Sequence, residues 1–227
     1  MKEFADLFLQ LLDKVPITLF ILTVSVFFSL IIGVIVALVR IRKAPVSYAI
    51  ATFYLSFTRC TPALVQLLLV FFGLPKLLSL ININISDWNR IVFVIITFSL
   101  HNAAALSEVI RSAYISVGDN QLEAAYSVGM SYFQALTRII LPQAFVIALP
   151  NLGNDVIMLL KDTSLAFTIG IVDMMGQVSI ITGNNYGIGL LKIYVVISII
   201  YWVICIIIEG AVNQLEKSLT KTKLIGR

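Results

Sequence analysis

The 227-residue chain has little of almost everything that chemistry in water requires: two cysteines, one histidine and only 12% charged residues. Cys60 lies beside a proline segment and Cys205 inside an apolar run, so neither a disulfide framework nor a metal-ligand spacing is available to them. A single histidine, His101, leaves too little for Ser/His chemistry. The sequence also lacks H-E-x-x-H, G-x-S-x-G and any Cys/His ligand set, which argues against an intramembrane enzyme. No G-x-x-x-x-G-K-[ST] loop is present to cradle nucleotide phosphates, so the chain has no recognisable means of hydrolysing ATP. Tandem repeats and low-complexity tracts are missing as well.

What fills the chain is hydrocarbon. Hydrophobic residues make up 59% of it and the mean hydropathy is +1.00, whereas soluble domains run at about 45–50% apolar and about 25% charged. A water-soluble fold would have too few polar side chains to cover it, and the bilayer becomes the natural solvent. Runs with few or no charges fall at Ile17–Val39, Leu64–Gly73 with apolar flanks, Ile91–Leu106, Leu141–Leu160 and Ile193–Ile208. The first, at about 1.5 Å per residue, covers about 34 Å, enough for a core roughly 30 Å thick. The expectation is an all-α membrane protein, residues 1–227 forming one transmembrane domain of about five spans near 16–40, 53–75, 90–112, 141–161 and 190–212. The second span either kinks at Pro62 or starts with Thr61 as N-cap and Pro62 as first helical residue. Leu165–Val172 is too short to cross alone and suits a half-buried hairpin. Met1–Lys14 does not look like a secretory signal peptide; Leu7, Phe8, Leu11 and Leu12 with Lys2, Glu3, Asp6 and Asp13 suit an interfacial helix over 3–13.

Basic residues gather in alternate connections: Arg40, Arg42 and Lys43; Arg111 and Arg138; Lys217, Lys221, Lys223 and Arg227. The positive-inside bias then places the N-terminus outside and the 118–140 loop and C-terminus in the cytoplasm. The net charge of +4 sits at span ends, where anionic lipid heads lie, and implies no nucleic-acid partner.

The 118–140 loop reads EAAYSVGMSYFQALTRIILP from Glu123 to Pro142. Asn120 is placed to cap with Glu123 three residues on, Gly129 to supply a left-handed stop, Ser131 with Gln134 to start a second short helix, and Pro142 to open the next span. Two short amphipathic helices at an angle are expected. Their apolar stripes fit ordinary packing faces as well, but the small pair Ala124–Ala125 suits close entry into a partner's groove. Glu123-Ala124-Ala125, Gly129 and Ile139-x-Leu141-Pro142 match the EAA-x3-G-x9-I-x-LP signature. On these residues the chain resembles the inner-membrane permease subunits of binding-protein-dependent ATP-binding-cassette importers.

Other segments are similar to the polar amino acid branch of that superfamily: Ser56–Pro75 to its R-G-T-P-x-L-V-Q segment, Ser107–Ala113 to its E-I-I-R-A segment, and Leu159–Ala166 to the stretch after span four. Cys60 stands where glycine is usual. The resemblance implies a type I importer permease architecture with a cytoplasmic coupling helix, in which two permease subunits, identical or related, form the pore. It implies that Glu123, Ala124, Ala125, Gly129, Ile139, Leu141 and Pro142 dock the coupling helix into a cytoplasmic ATPase dimer, which holds ATP and Mg while this chain binds no cofactor. It implies an extracytoplasmic binding protein that delivers the solute.

Charged groups at mid-bilayer cost about 2.5–3.5 kcal/mol on insertion scales, so polar residues in spans face cavities or partners. His101, Asn102, Glu108, Asn151, Asn154, Asp155, Lys161, Asp162 and Asp173 qualify. Glu108 and Arg111, three apart on one helix face, suit a simple ion pair. Alternatively Glu108, Lys161 and Asp173 offer two anions and a cation to a zwitterion, with His101 and Asn102 lining the cavity. In the permeases that the chain resembles, acids and a lysine at matching positions line the substrate path. Arg59, Thr61 and Pro62 are candidates for a gate. Ser25, Ser29, Gly33 and Ala37, four apart, fit close helix packing. An ion-coupled carrier or channel remains the rival reading, although five spans without a visible duplication suggest that a second subunit supplies the symmetry. Lys161–Gly170 is most similar to cystine and related sulfur amino acid permeases, with glutamine, arginine and other polar amino acids open.

Overall fold

The computed structural model describes the backbone of residues 2–225 and the side chains within it except those at 2, 3, 119 and 221–225. Arg227 and the side chains of Lys2, Glu3, Lys221 and Lys223, used above for orientation and for the interfacial helix, lie outside the described residues. Helices α1 (Lys2–Leu12) and α2 (Val15–Arg42) are followed by α3 (Pro45–Cys60) and α4 (Ala63–Ser79). Then come α5 (Arg90–Ser116), the short α6 (Asp119–Ser127), α7 (Tyr132–Ile169), α8 (Met174–Asn184) and α9 (Leu190–Ile225). No strand occurs among the described residues, and four helices are long and apolar enough to cross a membrane, or five if the bent pair α3–α4 counts as one span.

Helix α5 is the hub. More than half of its most apolar stretch, 56%, is buried, against 22–28% in the other long helices. Its contact with α2 is close because α2 presents Ser25, Ser29, Gly33 and Ala37 on one face, all buried. A Cβ on Gly33 would stand 3.1 Å from the Leu106 Cβ and 3.3 Å from the Ala103 carbonyl oxygen, so a small residue is required there. Asn102 on α5 donates through Nδ2 to the Ser29 hydroxyl at 3.1 Å, and Ser29 donates to the Val26 carbonyl. Helix α9 crosses α7 at Gly153, where an added Cβ would meet both Val212 methyls at 2.8 Å. The outward faces carry Phe20, Phe27, Phe53 and Trp202, all exposed, the inverted surface that a bilayer accepts.

Several local expectations give way. The second span is two helices bent by 113°, and Thr61 ends α3 in an extended conformation while Pro62 itself caps α4. Thr61 is driven extended by the proline that follows it, and that residue geometry turns the chain rather than merely kinking it. The cap of α6 is Gly118, at φ +81°, and Asn120 is inside the helix. The second short helix does not end at Pro142: residues 132–169 run on as one helix through a π turn at Leu136–Ile140. Pro142 lacks an N–H and its ring crowds the carbonyl four residues back, a conflict the wider π turn relieves. The same arrangement precedes Pro75, where Leu69–Gly73 is also a π turn. After α7's final 3₁₀ segment, Thr163–Ile169, the chain turns at Gly170, with φ +84°, and runs without regular structure to α8, so Leu165–Ile169 continues α7 instead of forming a hairpin.

Candidate functional site

Helix α6 and its exit form an elbow outside the bundle. Helix α6 ends in a Schellman motif, with Gly129 N–H donating to the Tyr126 carbonyl at 2.9 Å and Met130 N–H to that of Ala125 at 3.1 Å, and Gly129 at φ +81°. A complete capping box then starts the next helix, the Ser131 hydroxyl accepting from Gln134 N–H and the Gln134 side chain from Ser131 N–H. Both ends of the elbow are thus fixed by hydrogen bonds that local sequence specifies. Ala125 is buried against the start of α7. Glu123, Ala124, Tyr126 and Val128 are exposed, Val128 at 75%. Ile139 is half-buried, while Leu141 and Pro142 are exposed.

Where α2 and α5 reach the same end of the bundle as the elbow, Glu108 lies between two guanidinium groups. It accepts from Arg40 on α2 and from Arg111 on its own helix, the Arg111 Nε at 3.3 Å. Sequence spacing disclosed only the Arg111 pair; the Arg40 contact spans 68 positions.

Deeper in the bundle a polar chain crosses three elements. Gln66 on α4 donates through Nε2 to the carbonyls of Thr58 and Thr61, both at 2.8 Å, and so ties together the two halves of the bent span. Its Oε1 lies 3.2 Å from His101 Nδ1 on α5, and His101 Nε2 lies 3.9 Å from the Asp162 carboxylate on α7. Gln66 was inside a quoted motif and Asp162 among the intramembrane charges, but nothing in the sequence showed that the bent span folds α4 back onto α5. Thr61 therefore contributes a carbonyl to this chain, while Arg59 and Pro62 are exposed beside it.

No hydrogen bond or ion pair joins Glu108, Lys161 and Asp173 to one another among the described residues. Glu108 is consumed by its two arginines and lies seven residues, about 10 Å of rise, from His101 on the same helix. Lys161 is exposed and makes no ion pair among the described residues. Asp173 is buried as the N-cap of α8, accepting from Gly176 N–H at 2.8 Å, with its Oδ2 unpartnered. Burial pushes the Asp173 carboxyl up to about 6, against the opposing pull of the backbone amides around it. Asn102 is buried and bridges α2 and α5 through Ser29.

The family described as "Binding-protein-dependent transport system inner membrane component" matches residues 29–221 of the chain. The L-cystine transport system permease protein TcyL of Bacillus subtilis (strain 168) is 43% identical over 224 residues, 98% of this chain and 92% of that protein. The probable amino-acid permease protein YxeN of the same organism is 43% identical over 217 residues, 94% of this chain and 93% of its own length. Among solved structures, a chain of an amino acid ABC transporter crystallised with histidines superposes with a TM-score of 0.81 at 28% identity, covering 96% of each chain. A chain of the inward-facing MetNI methionine ABC transporter gives 0.70 at 18% identity over 92% of this chain and 96% of its own, a likeness of fold.

Proposed function

Because the chain belongs to the family of binding-protein-dependent transport system inner membrane components, we propose that it is the pore-forming subunit of an ATP-driven amino acid importer with L-cystine as its solute. The observation that carries this reading is the elbow: the 20-residue signature falls on a rigid, doubly capped turn whose Glu123 and Ala124 face away from the bundle while Ala125 anchors it. A lever needs this stiffness, since a partner biases a two-state element only by contacts that differ between its positions. Its neighbours are a cytoplasmic ATPase dimer that binds ATP and Mg, a second permease subunit and an extracytoplasmic binding protein. The protein is a multi-pass plasma membrane protein, and the N-terminus is assigned to the outside with the elbow and C-terminus in the cytoplasm.

In this reading the solute passes the polar chain at His101. Lys161, exposed and without an ion pair among the described residues, receives the substrate carboxylate, and the His101–Asp162 pair receives its ammonium. Glu108 acts as a strut above the elbow, Asn102 and Asp173 hold helices in place, and Arg59, Thr61 and Pro62 flank the path at the break of the second span.

The test is uptake of labelled L-cystine by proteoliposomes holding the permease with its ATPase and receptor partners. ATP-dependent accumulation is expected, with Glu123→Lys and Gly129→Val reducing it at least about tenfold while membrane insertion is unchanged. Uptake that persists in wild-type vesicles without ATP, driven by an ion gradient, would instead establish a secondary carrier.

A further inference from the structure

We propose that the basic end of α2 binds the headgroup of an anionic phospholipid, with one acyl chain of that lipid seated in the groove between α2 and α3. The groove has a volume of about 320 Å³ and is lined by Ile32, Val36 and Val39 of α2, Ile50 and Tyr54 of α3, and Leu100 of α5. Its walls offer nothing to a polar ligand. Tyr54 donates its hydroxyl to the Leu100 carbonyl, and the Ser47 hydroxyl is taken up by the Ala44 carbonyl at 3.2 Å.

The basic residues follow directly on this wall. Arg40 is next to Val39 in α2, and Lys43, just past the end of the helix at φ 53°, caps it by donating its N–H to the Val39 carbonyl at 3.2 Å. Lys43 lines a second cavity of about 380 Å³ with Arg40, Arg111, Tyr114, Gly118 and Leu122. Glu108 offsets one of the three cations around it, which leaves two positive charges over. Arg40 is only 15% exposed in its side chain, and its Nε is buried without a partner among the described residues. Lys43 is exposed and no carboxylate pairs with it among the described residues. Helix α3, 16 residues long, begins at this point with Ala44 as its N-cap and no side chain over its first N–H groups, an arrangement that adds partial positive charge.

Charge decides the occupant. A second copy packing here through a two-fold axis would bring the same cations against one another, since such an interface presents identical patches on both subunits. A phosphodiester brings the opposite charge, and juxtamembrane Lys and Arg are drawn to anionic lipid. The groove and the cationic cavity are lined by consecutive residues of α2, Val39 and Arg40, and the pairing of an apolar site with a cationic one selects a lipid over a free phosphate, because only a lipid fills both.

The permease, purified with its transport partners, is equilibrated with phosphatidylglycerol or phosphatidylcholine vesicles, and retained lipid is read by native mass spectrometry. Retention of a single phosphatidylglycerol per permease subunit is expected, with phosphatidylcholine held at least about tenfold less, a difference of about 1.4 kcal/mol. Lys43→Asn, which keeps a residue tolerant of the left-handed conformation at φ 53° and removes the charge, is expected to lower phosphatidylglycerol retention about tenfold. Ile50→Trp, which fills the groove, should act in the same direction. Equal retention of the two lipids by the wild-type complex overturns the proposal without recourse to any variant, as does unchanged retention by Lys43→Asn. Glycerol 3-phosphate that displaces the lipid equally from wild type and Ile50→Trp would show a free-anion site. Efficient cross-linking of an Ile50→Cys variant to its twin would show that a second copy covers the groove.

Discussion

Gln66 donates both amide hydrogens to the carbonyls of Thr58 and Thr61, so its Oε1 can only accept, and the hydrogen between it and His101 belongs to Nδ1. The imidazole Nε2 is then directed at Asp162, and in the neutral tautomer it presents a lone pair to a carboxylate. A further proton, on Nε2 or on the carboxylate, removes that conflict, and at 3.9 Å the two groups meet as an ion pair and not through a hydrogen bond. Replacing Gln66 with leucine leaves two carbonyls at the helix break without their donor, at about 1–3 kcal/mol for each that stays buried. The expected result is a lower thermal midpoint of the detergent-solubilised complex, by about 2–4 °C per kcal/mol. Asp173 gives the opposite sign. Its folded carboxyl titrates near 6 instead of 3.8, so the native state holds the proton more tightly than the unfolded chain and loses stability as pH rises through that interval. Asp173→Asn keeps the acceptor for Gly176 N–H and cannot ionise. It should melt at or above the wild-type temperature at pH 7.5 and show a shallower fall in stability than wild type between pH 4 and 6, whereas Asp173→Ala, lacking the cap, should cost about 1 kcal/mol.

The elements divide into those that local sequence specifies and those that a neighbour specifies. The elbow belongs to the first kind, because a Schellman glycine, a capping box and a proline act within a few residues of themselves. The packing face of α2 was equally legible, since four small residues spaced by four leave a groove for α5. The two π turns were not, because hydrophobic periodicity of 3.6 does not register one extra residue per turn; only the prolines two positions beyond each turn give them away. That extra residue has a mechanical effect: it offsets the helix before Pro142 by about 100° relative to the span that follows. Pro142→Ala removes the reason for the wide turn. Relaxation to regular α-helix would swing the elbow around the axis of α7, and uptake should fall at least about tenfold with no loss of expressed protein.

At the scale of the whole molecule, α5 touches α2, α4 and α7 and carries both interior polar assemblies. The sequence announced its residues one at a time, as lone intramembrane polar groups, but not their partners: Arg40 lies 68 positions from Glu108 and Gln66 35 positions from His101. Composition identified the solvent and the number of crossings, while the hydrogen-bond partners of Glu108 and Asp173, two arginines and the Gly176 N–H, needed the fold.

The sharp bend in the second span also bears on biosynthesis. Its two halves, 16 and 17 residues long, reach only about 24 and 26 Å, less than the roughly 30 Å hydrocarbon thickness, and Gln66 joins them to α5, which is synthesised after both. Neither half is long enough to settle as a crossing by itself, so the pair should enter the bilayer late, held at the translocon until α5 emerges. A Leu67→Cys chain halted before residue 90 should react at that position with water-soluble thiol reagents, and one extended past residue 116, where α5 can bury the site as in the finished fold, should be protected there.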